Sequence, residues 1–178
     1  MILVAGVGYS DLRDLSFGPR LVDRMRELSW PEQVEIHDLS YGPMAVVQWL
    51  EDLPGRFHEA IFAGAVERGR TPGTLWRYPW VAPLLDTDAI QARVAEAVTG
   101  VIGLDNLLII AGYFGVLPAR TSVVELEPTF LEWGDELSAD AAKGVGEALD
   151  WIRRTVEETV ARPGNGRPNV DVTGSTFH

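Results

Sequence analysis

Short apolar runs alternate with amphipathic segments along this chain, and that alternation limits the folds open to it. The runs MILVAGV (1–7), QVEIHDL (33–39) and EAIFAGAV (59–66) are typical of strands inside a sheet. Between them, residues 18–29 and 44–53 carry apolar side chains at helical spacing. Strands that alternate with helices form βαβ units. The sequence therefore predicts a three-layer α/β/α sandwich with a mostly parallel, twisted sheet.

The second half of the chain continues this alternation. Its predicted elements are a helix at 86–103, a fourth buried strand at 106–115, an extended or edge strand at 121–128 and a long helix at 138–159. Asp86 or Thr87 is available to cap the first of these helices, and Ser138 is available to cap the second.

The chain is predicted to form one domain and a tail. Its 178 residues are enough for a single core, and no linker or repeat divides residues 1–162. Residues 163–178 contain three glycines, two prolines and few apolar side chains. Such a segment cannot bury enough surface to offset its ordering entropy, so we expect a disordered tail.

Composition argues against several classes of function. The net charge of −11 disfavours a surface for nucleic acids or anionic membranes. Cysteine is absent, which excludes thiolate zinc sites and cysteine nucleophiles. No apolar segment approaches the roughly 20 residues that span a bilayer, and the first residues lack the basic region of a signal peptide. These features predict a cytoplasmic protein.

The turn after the first strand carries two glycines, Gly6 and Gly8. A dinucleotide-binding loop of the G-x-G-x-x-G type needs a third glycine, but Asp11 stands there and would repel a pyrophosphate. We interpret the two glycines as a tight, closely packed turn.

The order and spacing of several weak motifs are more specific than any one of them. The matching positions are Gly6, Gly8, Asp14 and Gly18 around the first helix, Asp38 and Gly42 after the second strand, Ala65, Pro72, Gly73 and Thr74 after the third, and EWGDELS (132–138) before the last helix. Across residues 1–155 the chain resembles the hydrogenase maturation endopeptidases. These enzymes remove the C-terminal extension from the large subunit of nickel-iron hydrogenases. The resemblance implies their α/β/α, phosphorylase/hydrolase-like fold.

The resemblance also implies a metal held by three side chains, and here the chain departs from the family. The family has an acid after the first aspartate, an aspartate ending the third strand and a histidine before the middle helix. The matching positions here are Leu15, Gly64 and Asp88. The first two offer no donor, and one carboxylate does not replace a nickel-binding set. We therefore expect no bound cofactor, although family members use nickel.

The three histidines do not replace the missing ligands in this interpretation. His37 lies within the second strand, where adjacent side chains point to opposite faces, so it is directed away from Asp38. His58 begins the third strand at the opposite edge, and His178 ends the tail.

Asp14 and Asp38 are the candidate catalytic residues. They follow neighbouring predicted strands, and two carboxylates in one cleft can share a proton and act as an acid/base pair. The alternative is structural: Asp14 caps the first helix or its turn, and Asp38 caps the second.

Aromatic side chains near the predicted cleft suggest contact with a protein. Tyr9, Phe17 and Tyr41, with Gly42, are the predicted partner-contact residues, since aromatics anchor protein interfaces. The segment TLWRYPW (74–80) adds three aromatics, and its alternative role is to cover the edge of the core. The acidic runs ELEP and LEWGDE are predicted to be solvated.

The sequence thus predicts a peptidase-like protein of nickel-iron hydrogenase maturation with a degenerate metal site. We interpret it as a non-catalytic binding or assembly factor for a protein partner, a hydrogenase large subunit or its precursor. The alternative is an active endopeptidase that removes the C-terminal extension, and the sequence leaves open whether the chain is an enzyme. A small-molecule enzyme has no residue constellation in its favour. If the degenerate site is real, Leu15 and Gly64 face each other across the cleft.

Overall fold

A computed structural model describes residues 1–162, and the predicted tail at 163–178 lies outside the described residues. Within residues 1–162 one five-stranded sheet has the order β2-β1-β3-β5-β4. The strands are β1 (Ile2–Gly6), β2 (Val34–Asp38), β3 (Glu59–Ala65), β4 (Leu75–Pro79) and β5 (Arg120–Leu126). All neighbouring strands are parallel except β4, which pairs antiparallel with β5 at the edge. The mostly parallel sheet is as predicted.

Helices cover both faces of this sheet. They are α1 (Phe17–Arg26), α2 (Pro43–Glu51), α3 (Thr87–Val98), α4 (Leu104–Tyr113) and α5 (Ala139–Ala161), and a short 3-10 helix (Arg13–Ser16) precedes α1. Side chains of β1 alternate between the two faces: Ile2 and Val4 pack with α1 and α5, whereas Leu3 and Ala5 pack with α2 and α4. The predicted three-layer sandwich is therefore confirmed.

The apolar run at 106–115 is not the predicted strand, because it belongs to α4. Leu104, Leu107, Leu108 and Ala111 are buried at spacings of three and four residues, and the intervening Asn106, Ile109 and Ile110 are buried as well, so the helix is enclosed on nearly all sides. A short apolar run cannot be assigned to a strand or a buried helix by periodicity alone, and here the helix packs against α2 and the sheet.

The segment 121–128 forms β5, which is extended as predicted but is not an edge strand. It pairs with β3 on one side and with β4 on the other. The caps of two helices are as predicted, since Asp86 accepts a hydrogen bond from the Ala89 amide and Ser138 accepts one from the Ala141 amide. No helix in residues 1–162 is long and apolar enough to cross a membrane.

Candidate functional site at the carboxyl edge of the sheet

The carboxyl ends of the parallel strands meet at one edge, which is where open α/β sheets bind ligands. Gly6 pairs with Asp38 of β2 and Ala63 of β3 at this edge. A Cβ atom on Gly6 would lie 2.3 Å from the carbonyl oxygen of Gly18, so α1 begins directly against β1. The glycine is required for this close approach, as the sequence predicted for the turn.

Gly64, one of the positions matched to a metal ligand, lies in a closed part of this edge. A Cβ atom there would lie 2.9 Å from the carbonyl oxygen of Val7 and 3.1 Å from the Cβ of Leu104. No larger side chain fits without moving the backbone. Leu15 is half-buried in the 3-10 helix, and its carbonyl accepts a hydrogen bond from the Tyr9 amide at 3.1 Å. Both positions therefore lie beside residues 7–9, the turn after β1.

The third matched position, Asp88, was assigned to the start of a single middle helix, but two helices, α3 and α4, occupy this part of the chain. Asp88 is exposed in the first turn of α3, whereas the segment that leads into α4 is Thr99–Gly103. That segment lies at the edge, because the hydroxyl of Tyr9 accepts a hydrogen bond from the Ile102 amide at 3.0 Å. Its sequence, TGVIG, contains neither histidine nor carboxylate.

The residues present do not fit the three-ligand metal that the family resemblance implies. Leu15 and Gly64 supply no donor atom, and the loop before α4 adds none. Across the described part of the chain, no group of three or more histidine or acidic side chains could hold a metal ion.

A buried carboxylate lies beside Gly64 instead. Glu125 of β5 is paired with Gly64 in the sheet register, and its side chain is fully buried. Its oxygens accept hydrogen bonds from Arg68 at 2.9 and 3.2 Å, from Arg70 at 2.7 Å and from the hydroxyl of Tyr78 at 2.8 Å. A buried charge needs such partners to offset its desolvation.

Arg68 is shared between two carboxylates. Besides its bonds to Glu125, its two terminal nitrogens donate to Asp105, in the first turn of α4, at 2.7 and 3.1 Å. Hydrogen bonding to Glu125 is the largest cause of the raised pKa of Arg68. Burial, followed by the hydrogen bond to Glu125, raises the pKa of Tyr78 to about 12. The arginine therefore stays charged and the tyrosine stays a donor at neutral pH.

The acidic run ELEP is buried, and its predicted solvation was wrong. Glu127 is 3% exposed and accepts hydrogen bonds from the backbone amides of Arg68 and Gly69. The partners come from the loop after β3, more than fifty residues away, so the run alone gave no sign of burial. The acids of LEWGDE, in contrast, are exposed as predicted.

Asp14, a predicted catalytic residue, is fully buried and hydrogen-bonded to the loop before α5. Its carboxylate accepts hydrogen bonds from the amides of Thr129, Phe130 and Ser138 and from the Ser138 hydroxyl, at 2.7 to 3.2 Å. The structural alternative expected Asp14 to cap the first helix or its turn, but no side chain caps α1. Four donors on one inaccessible carboxylate indicate that Asp14 fixes the loop before α5.

Asp38 is half-buried at the end of β2. It accepts a hydrogen bond from the Ser40 amide at 3.0 Å, which makes a local turn and not the predicted helix cap. Gly42, which precedes α2, has no capping side chain. The two aspartates are thus engaged by different elements, and their joint catalytic role stays a prediction.

The predicted partner-contact residues have different environments. Phe17 is fully buried in the core between α1 and α5, so it is not available to a partner. Tyr9 is half-buried and bonded to the loop before α4, whereas Tyr41 is 38% exposed next to Gly42. Partial burial, followed by the charge of Asp38, raises the pKa of Tyr41. In the TLWRYPW segment, Trp80 packs against the core and Trp76 is half-exposed.

The sequence matches no protein-family model and no curated protein. Solved structures do match. The hydrogenase 2 maturation peptidase from Thaumarchaeota archaeon SCGC_AB-539-E09 is 29% identical, with 86% of this chain and 96% of that chain covered and a TM-score of 0.60. An endopeptidase from Escherichia coli is 25% identical over 89% of this chain and 93% of its own, with a TM-score of 0.65.

More distant structures share the fold. The hydrogenase maturation protease HybD from Thermococcus kodakarensis is 14% identical over 87% of this chain and 98% of its own, with a TM-score of 0.58. In these three comparisons the likeness covers 86–89% of the chain. The chain is therefore similar to the hydrogenase maturation endopeptidases in fold and, at 25–29% identity, in sequence.

Proposed function

We propose that this chain acts in nickel-iron hydrogenase maturation as a non-catalytic binding or assembly factor for a hydrogenase large subunit or its precursor, in the cytoplasm. The likeness to maturation peptidases supports a role in hydrogenase maturation. The absence of metal-binding side chains at Leu15, at Gly64 and in the loop before α4 argues against metal-dependent cleavage of a peptide bond.

One observation carries the proposal. Gly64 is the position matched to the metal ligand at the end of the third strand, and neighbouring atoms occupy the space that a ligand side chain would need. Val7 and Leu104 leave no room for a side chain at Gly64. The neighbouring Glu125 is committed to Arg68, Arg70 and Tyr78, so it is not free to take a metal or activate water.

The cation at this edge is therefore a guanidinium of the chain itself. Arg68 is held between Glu125 and Asp105, and its charge repels a divalent cation from the same space. The cleft recognises its partner without binding a metal, and shape and aromatic contacts carry the affinity.

Hydrolysis of a peptide bond needs an activated water and a group that stabilises the oxyanion. Asp38 is the half-exposed carboxylate that remains from the predicted pair, since Asp14 is inaccessible. A single carboxylate without a metal or an aligned partner supplies neither requirement. This is why we favour binding over the alternative of an active endopeptidase.

The test mixes the purified full-length chain with the large-subunit precursor of the same organism. Size-exclusion chromatography reports complex formation, and intact mass spectrometry reports the length of the precursor. We expect co-elution with an unchanged precursor mass. A precursor shortened at its C-terminus would establish the endopeptidase instead, and neither co-elution nor shortening would overturn the role in hydrogenase maturation.

A further inference from the structure

The loop between β5 and α5, residues 128–137, is held in place by two consecutive residues, Arg13 and Asp14. Besides the bonds to Asp14, the amide of Arg13 donates to the Gly134 carbonyl at 2.8 Å, and its side chain bonds to Glu132 at 2.9 Å. The guanidinium of Arg13 also lies 4.1 Å from the ring centre of Phe130. We call residues 128–137 the docking loop.

Arg13 holds this arrangement at the expense of its own backbone. Its φ angle is +40°, in the left-handed region that residues other than glycine rarely adopt. Such a conformation persists where its surroundings determine it, and it concentrates at functional sites. The docking loop is therefore an ordered structure and not a flexible connection.

The fixed loop presents apolar side chains to solvent. Trp133 is 80% exposed, and Leu131 and Phe130 are 42% and 38% exposed. A tryptophan left out of the core on an anchored loop contributes little to folding. It does offer a large apolar surface with little entropy left to lose on binding, as in the anchor residues of interfaces.

Charge around the tryptophan indicates what kind of surface it meets. Glu132, Asp135 and Glu136 are exposed on the same loop. A complementary surface has an apolar pocket with basic side chains at its rim. A second copy of this chain is a poor partner, because each copy has a net charge of −11 and the two copies repel each other.

We propose that the docking loop is a preformed protein-binding element in which Trp133 is the anchor for a basic-rimmed apolar pocket on the partner. The loop begins near the carboxyl end of β5, and its hydrogen bonds to Asp14 join it to the 3-10 helix that carries Leu15, one of the positions at the candidate site. The partner's identity, a hydrogenase large-subunit precursor, rests on the proposed function.

The test measures the affinity of the full-length chain and two variants for that precursor. Trp133→Ala is compared with Leu84→Ala, which removes a fully exposed apolar side chain elsewhere. We expect Trp133→Ala to weaken binding by about 30-fold or more and Leu84→Ala by less than about threefold. Binding by the wild type should also weaken as salt is raised. Unchanged thermal midpoints confirm that both variants fold.

Equal affinities for the wild type and Trp133→Ala would overturn the docking role. If the wild type does not bind the precursor, the proposed function fails, and a photocrosslinking residue at position 131, which leaves Trp133 in place, or at position 84 decides the docking role in cells. A discrete adduct at 131 alone upholds it, provided that the crosslinked partner is identified by mass spectrometry and, when purified, binds Trp133→Ala at least tenfold more weakly than the wild type. No adduct, equal adducts at both positions, or a covalent dimer of this chain would contradict it.

Discussion

Glu125 and Gly64 lie side by side on neighbouring parallel strands, with a buried carboxylate on one and no room for a side chain on the other. The carboxylate expected from the family at the end of the third strand is missing, and the carboxylate on the next strand binds two arginines. This pairing explains how the fold persists while the donor set for a metal does not.

Glu125 holds the arginine network together, so its removal destabilises the domain. Glu125→Gln leaves Arg70 and Tyr78 without their charged acceptor and leaves Arg68 with Asp105 alone. The arginines are about a third exposed and can rehydrate, so we expect a loss of roughly 2–4 kcal/mol in the free energy of unfolding, at or below the usual cost of breaking a buried pair. Urea denaturation measures it. Glu27→Gln, in an exposed pair with Arg24, is the control and should change stability by less than about 1 kcal/mol.

Tyr78 gives the domain a stability that declines in alkali. Its pKa is raised to about 12 in the folded state, from the ordinary tyrosine value of about 10. The folded state therefore retains the phenolic proton after the unfolded state has lost it, and stability falls as pH rises from about 10 to about 12. The stability advantage of the wild type over Tyr78→Phe, from denaturation at several alkaline pH values, should shrink across this window. A difference that is constant with pH would contradict the assignment.

Restoring an acid at Gly64 does not restore a metal site. A side chain there meets the carbonyl oxygen of Val7 and the side chain of Leu104. We expect Gly64→Asp to lose about 1–3 kcal/mol of stability through overpacking and to show no nickel binding by calorimetry. Leu15→Glu, at a half-buried position, is the matched control and should be better tolerated. A stable Gly64→Asp protein that binds nickel would refute the closed-site description.

Asp14 acts on structure through the docking loop. Asp14→Ala leaves the amides of Thr129, Phe130 and Ser138 and one hydroxyl without their acceptor, which we expect to cost about 3 kcal/mol or more. Hydrogen exchange should rise in residues 129–138 first. Asp38→Ala, which loses one turn bond, is the comparison and should cost about 1 kcal/mol. Equal losses from both variants would speak against this role.

Local patterns in the sequence were sufficient for much of the fold. β1, β3 and α5 follow from apolar runs, helical spacing and the Ser138 cap. The helix α4 was mistaken for a strand because a run buried on nearly all sides has no amphipathic period.

The candidate site was less accessible to such reasoning. Its central bonds join Arg68 to Glu125 and Asp14 to Ser138, pairs 57 and 124 residues apart. Whether an acid is solvated or buried depends on such partners, which no local pattern reveals. The absence of donor atoms at Leu15 and Gly64 could be predicted, because it depends only on which residues stand at these two positions.

The central claim is that this cleft recognises its partner without a metal. The most direct test compares the dissociation constants of the wild-type chain for nickel-loaded and nickel-free precursor, measured side by side. We expect the two constants to agree within about threefold, because an arginine held between two carboxylates, and no set of metal ligands, lies at this edge. A preference of about tenfold or more for the nickel-loaded precursor, lost when nickel is chelated, would contradict this account.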